Sequence, residues 1–143
     1  MQDQQKLNEI INEINAYNQQ ADLVRQQIEL IQSSIAEVDA LTTTLDDLNG
    51  EKSVEAFVPV GAGSFIKGEL KDTDEIIISI GAGYAIKKDA EGAKEIISGQ
   101  RKDLEDSLDK MLASLQQISD ILATLQGQAQ QIQSAAQGGV TGY

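Results

Sequence analysis

The chain contains no cysteine, no histidine and no tryptophan, and its single proline is Pro59. Without cysteine or histidine there is no disulfide, no thiol nucleophile, no thiolate or imidazole metal site and no histidine acid–base chemistry. The absence of cysteine also agrees with a reducing compartment. Aromatic residues are scarce too: two Phe and three Tyr in 143 residues offer few large rings for a compact core, so a thin, elongated arrangement is expected. Positive charge is short, with 11 Lys and Arg against 23 Asp and Glu, and the few cations form no stripe that could follow a phosphate backbone. Nucleic acid is therefore disfavoured as a partner. No apolar run exceeds three residues and the opening "MQDQQKLNEI" has no signal-peptide core, so no membrane segment is expected and the expected location is cytoplasmic.

What is abundant is Ala, Leu, Ile, Gln, Glu and Asp at both ends, a composition of long helices. Counting heptads from Leu7, one row reads Leu7, Ile14, Ala21, Ile28, Ile35, Thr42 and the other Ile10, Tyr17, Val24, Ile31, Val38, Leu45. All but Thr42 are apolar, and a 3.5-residue period held over six heptads is a coiled-coil seam rather than the broader stripe of a helix in a globule. Leu48-Asn49-Gly50 supplies the stop, with Gly50 free to take a left-handed cap conformation. The C-terminal third repeats the pattern with Ile97, Leu104, Met111, Ile118, Leu125, Ile132 in one row and Arg101, Leu108, Leu115, Leu122, Ala129, Ala136 in the other. Its start lies between Asp89 and Glu95, where Gly92 weakens the first turn.

The two helices are expected to pair antiparallel within one chain, giving an arm on the order of 60 Å long at 1.5 Å per residue, with pairing to helices of other chains as the alternative. We read the register as the one in which facing residue numbers sum to 146, placing Ile14 against Ile132, Ala21 against Leu125 and Ile28 against Ile118. A shift by one heptad aligns the rows equally.

Between the helices, residues 53–60, 65–70, 75–80 and 84–88 read as four short strands forming two hairpins. Their connections contain Gly61-Ala62-Gly63 and Gly81-Ala82-Gly83. A Gly-rich loop can cradle phosphate, but a dinucleotide fingerprint needs a third glycine where Ile66 and Ile86 stand, and neither segment carries the Lys-Ser/Thr of a P-loop. Gly61, Gly63, Gly81 and Gly83 are instead assigned to hairpin turns, which require positive φ angles. Asp72, Asp74 and Glu75 fail as a calcium loop because Ile76 and Ile77 occupy the next positions, and they read as charges on an exposed turn. No catalytic residue, cofactor site or metal site is expected, and the chain does not read as an enzyme.

Four short strands cannot close a barrel, and they carry Phe57, Val58, Val60, Phe65, Ile66, Ile76, Ile78 and Ile80. Open edges this apolar need cover, so these residues are the expected oligomerisation surface, with several chains pooling hairpins; the alternative is a small sheet folded over its own helix base. Toward the far helix ends charge disappears: from Met111 onward Asp120 is the only charged residue. Leu7, Ile10, Ile11, Ile14, Ile132 and Val140 are expected to be intermittently exposed at a frayed, partly apolar tip, suited to promiscuous hydrophobic partners, with ordinary fraying of a coiled-coil end as the equal alternative. The alternative is a structural coiled-coil oligomer whose arms act as spacers or tethers.

The order helix, two hairpins with Gly-x-Gly turns, helix, and above all "FVPVGAGSFIKGELKDTDEIIISIGAGYAIKKDAEGA", resembles the α class of the archaeal prefoldin family. The resemblance spans essentially the whole chain. It implies an α+β fold: a long antiparallel α-helical coiled-coil hairpin with two β-hairpins at its base that join an oligomeric β-barrel. It implies one domain over 1–143, with a helix over 1–49, hairpins over 53–88 and a helix over 90–137. It implies a hetero-hexamer of two α and four β-class subunits, in which a second α subunit is a partner. It implies ATP-independent chaperone action, in which non-native polypeptide clients are captured at the tips, near Leu7 to Ile14 and Leu125 to Val140, kept from aggregating and delivered to a group II chaperonin. The final Thr141-Gly142-Tyr143 has no place in the family pattern.

Overall fold

A computed structural model describes residues 2–140, with side chains described through Ala136. The order is α1 (Gln2–Leu48), β1 (Ser53–Gly61), β2 (Ser64–Lys71), β3 (Ile76–Gly81), β4 (Tyr84–Lys88) and α2 (Ala90–Val140). This is an α+β fold of two long helices and two antiparallel hairpins, β1–β2 and β3–β4. The chain divides into two units, one made of α1 up to Ser33 with α2 from Glu105, the other of Ser34–Leu104.

In both helices the burial follows the heptad rows. From Leu7 to Leu45 every row position is half-buried or buried, and Ser34 alone joins them. From Ile97 to Ile132 the same is true, with Ser114 as the one addition. The interruptions of the seam are both satisfied. The Thr42 hydroxyl donates to the Val38 carbonyl at 3.0 Å, and Arg101 reaches out of the seam to Asp39 with Nε–Oδ1 2.7 Å and Nη2–Oδ2 3.3 Å.

The helix ends have identifiable causes. Gly50 takes φ 85° as α1 stops, and the Glu51 amide donates back to the Leu48 carbonyl at 3.2 Å. At the start of α2, Asp89 is the N-cap: its Oδ1 accepts from the Gly92 amide at 2.8 Å. A Cβ on Gly92 would stand 2.9 Å from that same oxygen. Gly92 thus makes room for the cap rather than merely weakening the turn.

The register differs from the expected one by a heptad, and each unit shows it separately. In the Ser34–Leu104 unit, Asp39 pairs with Arg101 and Asp46 with Lys94, so these flanking pairs each sum to 140, far closer to a one-heptad shift than to the expected alignment. In the other unit Leu7 lines one groove together with Ile132 and Ala136, instead of standing opposite residue 139. Ala21 therefore faces Ile118, and the seam keeps its side chains up to Leu7. The interior layers could not have chosen, because rows of Leu, Ile and Val fit at each whole-heptad shift there.

Candidate functional site

Both hairpins close through the same turn. Ala62 and Gly63 have φ 49° and 76°, Ala82 and Gly83 φ 53° and 80°, and Gly61 and Gly81 precede them at 118° and 97°. Two consecutive positive φ angles make a two-residue turn whose twist matches antiparallel strands. A Cβ at Gly61, Gly63, Gly81 or Gly83 would meet nothing within 4 Å. The glycines answer a backbone requirement; they make no close approach of the kind a phosphate cradle uses.

The register of β1 on β2 pairs Val54 with Leu70, Ala56 with Gly68, Val58 with Ile66 and Pro59 with Phe65. Because side chains alternate, one face of this hairpin carries Val54, Ala56, Val58, Ile66 and Leu70 without a charge. The other carries Phe57, Pro59 and Phe65 beside a Lys67–Glu55 ion pair at 3.3 Å. Phe57 is 72% exposed, and Val58, Val60, Phe65, Ile66 and Leu70 are exposed as well. The sheet offers apolar surface on both faces.

The second hairpin is different. Ile78 is 8% exposed and packs with Leu45, Ala93 and Ile97, with Val38, Ile76 and Ile96 against the cluster. Of the three isoleucines expected on the oligomerisation surface, Ile76 is half-buried and Ile78 buried within the chain, and Ile80 remains exposed. The outward face instead displays Ile77, 69% exposed, and Tyr84 stands out near the turn. Sequence reasoning passed over both. Ile77 sits in an unbroken Ile-Ile-Ile run, so alternation alone could not say which side would find the helices.

At the terminal ends of α1 and α2 the structure places the tip residues unequally. Leu7, Ile10, Ile14 and Ile132 are half-buried in the seam and Leu125 is buried there, while Ile11, beside the seam, is 42% exposed. The Val140 side chain and Thr141–Tyr143 lie outside the described residues.

Electrostatics within the Ser34–Leu104 unit centre on the two inter-helix ion pairs. The Arg101 hydrogen bond holds the Asp39 carboxyl below its ordinary pKa, and the same bond raises Arg101. The Asp46 carboxylate likewise raises Lys94. Thr73 donates its hydroxyl to the Glu51 carbonyl, tying the β2–β3 connection to the segment after α1. A shallow groove there is lined by Gly50, Glu51, Lys52, Asp72, Thr73 and Asp74, and no metal-ligating cluster of three or more side chains occurs among the described residues. Nor is any helix among them long and apolar enough to cross a membrane.

Three comparisons with known proteins bear on this arrangement. The model of the prefoldin subunit family matches residues 17–135. A prefoldin subunit alpha of Methanobrevibacter smithii is 67% identical over 141 residues, covering 99% of this chain and 97% of that protein. One from Pyrococcus horikoshii is 29% identical over 134 residues, covering 92% and 90%. Among solved structures, a chain of the filamentous PFD of Methanocaldococcus jannaschii, determined by cryo-electron microscopy, superposes with a TM-score of 0.54 at 22% identity, covering 90% of this chain and 98% of that one.

Proposed function

Because the chain belongs to the prefoldin family, among its archaeal alpha subunits, we propose that it acts as the α component of an ATP-independent holdase whose hairpins assemble the complex and whose helix termini hold clients. Prefoldin subunits are chaperone components and not enzymes. The finer reading is of a cytoplasmic hetero-hexamer with two copies of this chain and four β-class subunits. It captures non-native polypeptides, keeps them from aggregating and passes them to a group II chaperonin.

The observation that carries the assembly half is the first hairpin, apolar on both faces and exposed on both. Val54, Val58, Ile66 and Leu70 would close against strands of other subunits, and a hairpin left open in this way would aggregate. The second hairpin contributes Ile77, Ile80 and Tyr84, because Ile78 already packs on Leu45, Ala93 and Ile97.

Capture at the helix ends works through Ile11 together with partial opening of the last seam layers, which frees Leu7, Ile10, Ile14 and Ile132. The seam has few charged neighbours from Met111 onward to hold it closed, and terminal turns open at low cost. Several ends acting on one client raise affinity through effective concentration without strong individual contacts. Release needs no nucleotide when the chaperonin competes for the same client.

The seam reaching Leu7 also favours the second reading, in which the arms are fixed spacers. A photo-crosslinker placed at position 11 of the assembled complex separates the two. Capture of a chemically denatured client at position 11, and none at exposed Leu112 on α2, supports holding at the termini. Equal yields at both positions, or none at either, support the spacer.

A further inference from the structure

We infer that Asp39, Asp46, Lys94 and Arg101 form a register lock: two ion pairs, one heptad apart, that select a single alignment of α1 on α2 which the interior of the apolar seam leaves degenerate. Within the Ser34–Leu104 unit, Arg101 grips Asp39 through two hydrogen bonds and Lys94 pairs with Asp46. On each helix the two charged residues are seven positions apart, so the spacing of the lock equals the period of the slip it must prevent.

The alternatives can be enumerated. Sliding one way by a heptad brings Arg101 to Asp46, leaves Asp39 opposite Leu108 and carries Lys94 opposite Ser53, beyond the end of α1. Sliding the other way brings Lys94 to Asp39, leaves Arg101 opposite Gln32 and carries Asp46 opposite Lys87, beyond the start of α2. Either slip keeps one pair of the two. The first slip keeps the interior apolar layers, with Ile35 meeting Met111 in place of Leu104 and Thr42 meeting Leu104 in place of Ile97; only the end layers change, Leu7 facing residue 139 and Ile97 facing residue 49 beyond the end of α1. Between those ends, charge at the seam's flank rather than hydrophobic bulk is what differs between the alignments, as flanking charges do in choosing partners and orientation of coiled coils. One such exposed pair adds little to stability, but register is a choice between near-equal states, where a small difference decides the population.

The chain's lack of cysteine makes the test direct. Leu104→Cys is combined with Ile35→Cys to report the observed register, or with Thr42→Cys to report the first slip, and disulfide formation is read in the full-length chain. All three positions are half-buried. The observed register gives the 35–104 disulfide and not the 42–104 one. Asp39→Lys with Lys94→Gln then sets two cations against each other at positions 39 and 101 and abolishes the other pair. The first slip retains Asp46 with Arg101, so the 42–104 disulfide is expected to become the major product. Adding Arg101→Asp restores opposite charges at positions 39 and 101 and repels Asp46, and the 35–104 disulfide is expected to return. If the double variant keeps helical circular dichroism and still gives the 35–104 disulfide alone, docking of Ile78 sets the register and the lock is refuted. If the double variant loses its helices, the triple variant decides. Recovery of both helix and the 35–104 disulfide supports the lock, and failure to recover overturns it.

Discussion

Replacing Ile97 with alanine tests whether the cluster joining the second hairpin to the helices is a true core. Ile97 is 2% exposed and packs with Leu45, Ile78 and Ala93, so it touches α1, β3 and its own helix. Isoleucine to alanine removes three carbons, each contributing about 0.8 kcal/mol when buried, or about 2.4 kcal/mol of transfer free energy. The space left between two helices and a strand closes only in part, which places the total cost at about 3 kcal/mol within the usual range of roughly 2–5. Leu30→Ala is the control: Leu30 is 70% exposed on α1, and its loss is expected to change stability by no more than about 0.5 kcal/mol. The assay is urea unfolding of the full-length chain followed by far-UV circular dichroism, at one protein concentration because assembly adds to apparent stability. A loss below about 1 kcal/mol for Ile97→Ala, or equal losses for the two variants, would refute the packing argument.

Three further outcomes are expected. Asp89→Ala removes the cap on the Gly92 amide and costs about 1 kcal/mol in the same unfolding assay, whereas Asp89→Asn stays close to the parent. Gly63→Ala forces a side chain to φ 76° and costs about 1–2 kcal/mol, while Ala62→Gly relieves φ 49° and gains about 0.5, both read as amide exchange protection across β1–β2. For pH, Asp39 titrates lower in the folded chain than in the unfolded one, chiefly through the Arg101 hydrogen bond. Its contribution is therefore present above the unfolded carboxylate value of about 4 and fades as pH falls through the folded one. Lys94 is raised, so its contribution is present below about 10.4 and is lost as pH climbs through the folded value. The stability difference between the parent and Asp39→Asn should accordingly hold through neutral pH and shrink in acid; a difference that grows in acid contradicts the pairing.

The parts of this molecule that were legible beforehand are those encoded by local periodicity. Leu7 through Leu45 and Ile97 through Ile132 announce a seam because a 3.5-residue repeat has few other uses, and the structure buries those rows. Gly61-Ala62-Gly63 announces a turn because positive φ has a residue signature, and the angles agree. What stayed hidden depends on distant matches. Whole-heptad slips leave the interior apolar layers equivalent, so the alignment emerged from the pairing of Asp39 with Arg101 and Asp46 with Lys94 and from Leu7 lying beside Ile132. The inward side of Ile76-Ile77-Ile78 is set by Leu45 and Ile97, far away in sequence, and for that reason Ile77 was passed over. Gly92 looked like a defect until the Asp89 carboxylate was seen to occupy the space a side chain would take.

Light scattering of a chemically denatured protein diluted into nucleotide-free buffer tests the central claim most directly. The assembled complex is compared with one in which this chain lacks residues 1–13 and 127–143, after equal subunit stoichiometry is confirmed. The account predicts that the intact complex suppresses scattering and that trimming weakens the suppression. A correctly assembled intact complex that leaves scattering unchanged would contradict it.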